Sequence, residues 1–397
     1  MWANLRLESK RQPWIIYILI FILLTLSLTV PTVTRMTSKT VPSLSSYHGL
    51  TAANNQLVVP TADYFRQAAI ETAQEQIRVS RHNSSPLRNK PAERKWRLYL
   101  NQVIGAYQQS DYRQVNRVVY AAMQDSDLVQ HDVGQFYDRS ELMHTHRSEY
   151  MRVMRKVIEQ KFDATPYVSE IGSASAAVAA TLGISGVTKR ADLLFFSLML
   201  AAVVLIMGYI YTRDEQSDMH ELARVTPQTR FKQVLIRAVL PIVVLNVLVI
   251  TAVVLSVALV ALFAHLPIGY VAMPYAFGSN GALVVRTVVG YLAYFLIYFN
   301  LWTVILVVVC ALTGRITKNV LMTVFIVGTL TFLTPLGLLN VFGKLGRYIP
   351  FAYSDFYEVY FGLGQYAHVS LTQIVGVFLT AIVAITMVDY LLFTRQK

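Results

Sequence analysis

Residues 205–244 read LIMGYIYTRDEQSDMHELARVTPQTRFKQVLIRAVLPIVV. A polar stretch, HELARVTPQTRFK (220–232), is wedged there between two long apolar runs, and those runs decide the fold. An α-helix needs about 20 predominantly apolar residues to cross a bilayer. Blocks of that size recur at about 14–33, 191–212, 238–264, 287–312, 319–340 and 371–393, which predicts six spans.

Composition agrees. Of 397 residues, 54% are hydrophobic and 15% charged, and the mean hydropathy is +0.44, too apolar for an ordinary soluble domain. The formal net charge of +12 raises the question of nucleic acid. No basic helix with interleaved aromatics accompanies it, and the cations cluster beside the apolar runs, where anionic headgroups would meet them. No nucleic-acid partner is expected. The single cysteine, Cys310, rules out an internal disulfide and any multi-cysteine metal site, and suits a bacterial surface protein.

The first run follows Arg6, Lys10 and Arg11 in the manner of a signal sequence. Its core is longer than a signal's and it leaves through TVPTVTRM (29–36) with no Ala-x-Ala exit, so it reads as an uncleaved anchor. Orientation comes from the short loops. Arg213, Arg224, Arg230, Lys232 and Arg237, the GRITKN turn (314–319) with Arg315 and Lys318, and the tail with Arg395 and Lys397 fall on one side of a six-span chain. The positive-inside rule makes that side the cytoplasm and puts both termini there. The opposite loop HLPIGYVAMPYAFGSNGA (265–282) carries no Lys or Arg.

The long segment between the first two spans is the exception, because long loops translocate regardless of charge. Its stretches ADYFRQAAIETAQEQIRV (62–79), AERKWRLYLNQVIGAYQQ (92–109) and SELMHTHRSEYMRVMRKVIEQKF (140–162) place apolar residues at three- and four-residue spacing, as in Trp96, Leu100, Val103, Tyr107 and in Met143, Met151, Met154, Ile158. Strand-like alternation is scarce. The expectation is an all-α polytopic membrane protein in three parts: 1–34, a cytoplasmic N-terminus and first span; 35–190, a mainly helical extracellular domain with RHNSSPLRNKP (81–91) as a loop; and 191–397, five further spans. The small-residue stretch GSASAAVAATLGISG (172–186) is either a flexible lead-in or a segment lying on the bilayer or the domain.

In the opening stretch Met219, Leu222, Ala223 and Thr226 share one face of a helix while Asp218, Glu221 and Arg224 point elsewhere. Pro227 ends that helix because it has no N–H to continue the ladder. A short helix with one apolar edge at the cytoplasmic surface suits a groove in another protein. An ordinary juxtamembrane loop with anchoring charges has the same composition.

The chain resembles the ABC-2-type permease subunits of ATP-binding-cassette exporters. Those show an acidic residue and Leu, then Ser/Thr-Pro-x-Ser/Thr-Arg, in the loop after the second span, matched here by Glu221, Leu222, Thr226, Pro227, Thr229 and Arg230. Asp218 and Met219 replace the family's Gly-Thr. The resemblance makes 213–237 the coupling loop that seats on an ABC ATPase subunit. It also implies an outer re-entrant segment, 344–368, where YIPFAYSDFYEVYFG supplies Pro350, Phe351 and Tyr353, with Ile349 where Asn is common. An interfacial aromatic belt would use the same residues.

No G-x-x-x-x-G-K-[ST] occurs; FGKLG (342–346) lacks the first glycine and the hydroxyl residue. The chain itself is therefore expected to hold no cofactor and to be no enzyme, with ATP and Mg bound by two copies of a partner ATPase. Polar residues inside the spans are few. Asn246 and Asn300 are candidates for a translocation path or for interhelical hydrogen bonds, and Arg286 and Asp389 lie near span ends. Tyr291, Tyr294 and Tyr298 form a stripe on the fourth span, either packing or lining a route. His131, His144 and His146, near Asp138 and Glu141, raise a metal site, with Glu141 and His144 the better-spaced pair; no metal is expected. No catalytic constellation stands out.

The leading expectation is a permease half, homodimeric or heterodimeric, exporting an amphipathic substrate such as a peptide, drug or lipid-linked molecule. The competing one is a non-transporting sensor or scaffold whose helical domain binds a ligand.

Overall fold

The computed structural model describes residues 12–37, 62–82, 90–128, 131–137, 147–182, 191–216, 230–279, 282–339, 346, 348–361, 366 and 369–394. In chain order the helices are α1 (Trp14–Thr37), α2 (Ala62–His82), α3 (Lys90–Gln108), α4 (Tyr112–Gln124), α5 (Arg147–Glu159), α6 (Pro166–Gly172), α7 (Ala174–Thr181), α8 (Ala191–Gln216), α9 (Arg230–Phe263), α10 (Val288–Thr317), α11 (Val320–Thr331), α12 (Phe356–Phe361) and α13 (Leu371–Thr394). One antiparallel hairpin, β1 (Pro274–Ser279) and β2 (Ala282–Thr287), precedes α10. Among the described residues, five helices are long and apolar enough to cross a membrane: α1, α8, α9, α10 and α13.

The chain divides into two compact units. The first comprises Met1–Leu28, Thr188–Ser256 and Leu292–Lys397. Its helices bury one stripe and expose another that is equally apolar. On α9, Leu245, Val249 and Ala252 are buried while Val243, Val247, Ile250 and Val254 are exposed; on α13, Ile374 and Phe378 are buried while Leu379, Val383 and Met387 are exposed. In water, apolar faces of this extent would be a standing liability; in lipid they are the solvated surface. These faces, on helices long enough to span, fit an all-α multi-pass membrane protein.

The run expected as the fifth span is shorter than read. α11 stops at Thr331, after 12 residues, because Pro335 has no N–H to give the Thr331 carbonyl. Helical turns continue through the Leu336 N–H to Phe332 O bond of 3.0 Å. The chain then reverses in a Schellman cap: Gly337 has φ +73°, its N–H bonds Thr334 O and that of Leu338 bonds Leu333 O, both at 3.0 Å. Ser110, Lys161, His265 and Lys318 also take positive φ, between 50° and 56°. Each follows the end of a helix, where glycine is the commoner choice.

The second unit comprises Thr29–Val187 and Val257–Tyr291. α2 to α5 form a helical domain around Trp96, Leu100, Val103, Tyr107, Val119, Phe136, Tyr150 and Met154, so the four residues read from α3's period do face its core. α4 was not foreseen. It starts on Asp111, whose carboxylate accepts the Gln114 N–H at 3.0 Å. Met151 packs at the edge of the core, Ile158 is half-buried, and Met143 falls outside the described residues.

The undecided small-residue stretch holds α7, every residue of which is buried. Its first N–H groups are taken by the turn after α9: Ala174 N–H to Pro267 O at 2.9 Å and Ser175 N–H to Ile268 O at 3.0 Å. Gly269 makes that approach possible. A Cβ there would sit 2.3 Å from Ser173 Cβ, and its φ is +84°. Thr32 and Thr181 share a hydrogen bond of 2.6 Å, Arg35 donates to Ala177 O at 2.7 Å, and the Ser169 and Tyr275 hydroxyls lie 2.9 Å apart. Backbone ends that would otherwise stay unpaired are thus closed by the chain around them.

Candidate functional site

Of the residues expected to form a coupling loop, Glu221, Leu222, Thr226, Pro227 and Thr229 lie outside the described residues, and Arg230 is the first residue of α9. The ends flanking that loop are described. α8 runs on to Gln216, and the Tyr211 hydroxyl donates to Val234 O at 2.9 Å, joining the last turns of α8 to the first turns of α9. One residue on, Thr212 donates to Thr323 Oγ1 at 3.0 Å, and Thr323 shares 2.7 Å with Thr317 Oγ1. Both Thr212 and Thr323 are fully buried. The α8 end, the 317–319 turn and the start of α11 are therefore knit by hydroxyls. Asn319 caps α11 through the N–H groups of Leu321 and Met322.

Asp389, read as a polar residue near a span end, has a partner. Arg315 Nη1 lies 2.6 and 2.8 Å from its two carboxylate oxygens, joining α10 to α13 with side chains 13% and 23% exposed. Ionisable residues near apolar spans are commonly paired in this way, which offsets part of the cost of their charge.

Pro350, Phe351 and Tyr353 fall in one buried 3-10 turn, Pro350–Tyr353. Its carbonyls accept side-chain donors from several elements. Tyr353 O takes the Tyr298 hydroxyl and Trp302 Nε1, the latter at 3.3 Å. Ala352 O takes the Tyr366 hydroxyl and Thr334 Oγ1, and Thr334 also reaches Phe351 O, at 3.2 Å in both cases. A turn this short leaves carbonyls without ladder partners, and an apolar setting makes each one expensive to leave so.

Aromatic rings surround the turn. Phe356 on α12 lies 4.9 Å from Phe295, 5.3 Å from Tyr298, 5.6 Å from Phe196 and 6.0 Å from Tyr294. Tyr294 and Tyr298, from the proposed route, thus meet at one ring. Tyr298 is buried and Tyr294 half-buried. Tyr291, third in the stripe, belongs to the other unit and donates to Leu182 O.

Asn246 and Asn300 come together. Each amide donates to the other's carbonyl oxygen at 2.8 Å, and each also donates back along its own helix, to Ile242 O and Leu296 O. An apolar groove of about 500 Å³ lies elsewhere in this unit, along α11, with Ser197, Phe325, Gly328 and Phe332 among its walls; none of the four route candidates lines it.

Among the described residues no three His, Cys, Asp or Glu side chains gather to hold a metal ion. His131 stacks on Trp96 with centroids 4.4 Å apart, while His144, His146, Asp138 and Glu141 lie outside the described residues. Sequence reading missed Tyr211, Thr212, Thr323, Trp302, Thr334 and Tyr366. Hydroxyl and indole groups inside apolar runs were the available signal, since such groups need a partner in lipid.

No protein-family model, curated protein or solved structure matches this chain.

Proposed function

We propose that this chain is the permease subunit of an ABC exporter of the ABC-2 type, moving an amphipathic peptide, drug or lipid-linked molecule across a bacterial cell membrane. ATP would be bound with Mg and hydrolysed by two copies of a separate ATPase subunit. The permease would act as a homodimer or with a second permease. In this reading the loop after α8 is cytoplasmic, as are both termini, α11 together with the helical turns that follow it to Leu336 makes a sixth crossing, and the helical domain faces outward.

The observation that carries the reading is the Tyr211–Val234 bond beside the Thr212–Thr323 bond. A lever delivers force when its base is fixed to what it moves. A push on the 218–230 segment would pass through Tyr211 and Thr212 into α8, α9 and α11 together. Arg315 and Asp389 would carry it to α10 and α13, and Tyr298 and Trp302 would carry it along α10 to the Pro350–Tyr353 turn. A rigid-body tilt of packed helices follows more naturally than the bending of any one of them.

The test is a tagged purification from the native membrane, read by mass spectrometry. The expected result is a nucleotide-binding subunit held in stoichiometric amount. Its absence would end the transporter reading and favour a sensor or scaffold. Glu221→Ala and Arg230→Ala should then uncouple ATP hydrolysis from transport while leaving membrane insertion intact.

A further inference from the structure

In the second unit, a corner of the helical domain gathers exposed cations beside exposed apolar residues. Asn116 of α4 donates to Phe162 O at 3.3 Å and Ala164 O at 3.2 Å, which seats the end of α5 against the middle of α4. Arg113 and Arg117 flank Asn116 on α4, and Lys161, at φ +56°, closes α5. All three side chains are exposed. Elsewhere in the domain Arg66, Arg78 and Lys95 sit within 3.3 Å of carboxylates. No ion pair forms at Arg113, Arg117 or Lys161 among the described residues. Asp163, also exposed, offsets part of their charge.

The same corner touches the turn after α9. Phe162 packs on Tyr270 with centroids 5.2 Å apart. Around Tyr270 the end of α9 presents Leu262 at 64% and Phe263 at 58% exposure, and the turn after it Ile268 at 62% and Val271 at 43%. This apolar rim is continuous in sequence with α9 and α10, two of the helices that can cross a membrane.

We propose that this corner is a second membrane contact, in which Phe263, Ile268 and Tyr270 enter the interfacial layer while Arg113, Arg117 and Lys161 receive the phosphates of anionic lipids. The inference rests on the reading that α9 and α10 cross the bilayer. Their connection must then surface at headgroup level, where aromatic and aliphatic side chains are buried and cations beside them meet negative charge. Charge complementarity and the apolar rim act at the same depth. A soluble polyanion would use the cations and leave the rim in water.

The test uses the full-length protein in nanodiscs of phosphatidylcholine alone or with phosphatidylglycerol, followed by hydrogen exchange. The expected result is severalfold slower exchange in peptides covering 161–165 and 265–271 when phosphatidylglycerol is present. The R113Q/R117Q/K161Q variant should lose that difference while matching the native protein in phosphatidylcholine; R113K/R117K should keep it. Equal exchange in both lipids, an undiminished difference in the triple variant, or the same slowing by inorganic polyphosphate in phosphatidylcholine discs would each overturn the proposal. Failure of the spanning reading looks different: alkaline carbonate would then strip the protein from its native membrane.

Discussion

Asn246 on α9 and Asn300 on α10 hold each other by two amide hydrogen bonds of 2.8 Å. The pair is closed on itself, and each partner is the other's reason to be tolerated between apolar helices. Asn246→Leu should leave the Asn300 amide short of a donor and an acceptor and lower stability by about 1–2 kcal/mol. Asn246→Leu/Asn300→Leu should regain part of that loss. Thermal midpoints in one detergent for all four forms decide it: if the two single losses add in the double variant, the pair is not coupled.

Tyr353 O has two donors, and removing one should be survivable. Tyr298→Phe is expected to cost about 1 kcal/mol, since Trp302 Nε1 still reaches the carbonyl at 3.3 Å. Adding Trp302→Phe should cost more than the sum of the two single losses, because the carbonyl then has no donor from α10. Chemical denaturation with intrinsic fluorescence, calibrated for the lost tryptophan, measures both.

At Gly269 the backbone and the space agree. Gly269→Ala would drive a Cβ to 2.3 Å from that of Ser173 at a φ of +84°, with an expected loss on the order of 3 kcal/mol from overlap and strain. Gly269→Ala/Ser173→Gly removes the overlap and keeps the strain. It should recover part of the loss; full recovery would show that φ is unimportant here.

Lys318 makes the opposite case. Its φ of +50° is one that a side chain resists and glycine accepts, so Lys318→Gly should raise stability by roughly 0.5–1 kcal/mol after the entropy of the unfolded glycine is deducted. An unchanged or lower thermal midpoint would contradict this.

A hydrogen bond from Lys95, and then the Asp127 N–H, hold the Asp125 carboxyl below its ordinary range. The carboxylate's contribution is therefore complete above the usual carboxylate value of about 4 and fades as pH falls through the lower folded value. Lys95 is raised, first by its bond to Asp127 and then by that to Asp125. Its contribution is complete below the usual lysine value and is lost as pH climbs through the folded one. Lys95→Met should thus differ from the native protein by a small, constant amount near neutrality, and the two midpoints should converge under acid. Divergence under acid would reverse the assignment.

Five of the six long apolar runs were legible as long helices, because an uninterrupted apolar block has few other uses; the sixth is broken at Pro335. The period of α3 was legible for a related reason: one face of it is covered and the other is wet. α7 escaped because all its faces are covered, and a helix buried all round has no stripe to read. α4 carries Val115, Val118 and Val119, weak helix formers on their own, and the burial of those valines holds it in place. The hairpin escaped through its apolar surroundings, although the sequence reads Asn-Gly at 280–281, the commonest signature of a two-residue hairpin.

At the candidate site, Asn246 and Asn300 stood out as polar letters in apolar text, and so did Asp389. That Asn246 would face Asn300, Asp389 would face Arg315 and Thr212 would face Thr323 could not be read. Those partners are brought together by helix packing, for which spacing along one helix gives no sign.

Cys310, the single cysteine, is wholly buried in α10. A water-borne maleimide will find no target in the native protein, so any cysteine introduced at a chosen position answers for itself. Sidedness, loop by loop, can be charted with thiol reagents on the natural background, with no prior need to delete the residue that nature put there.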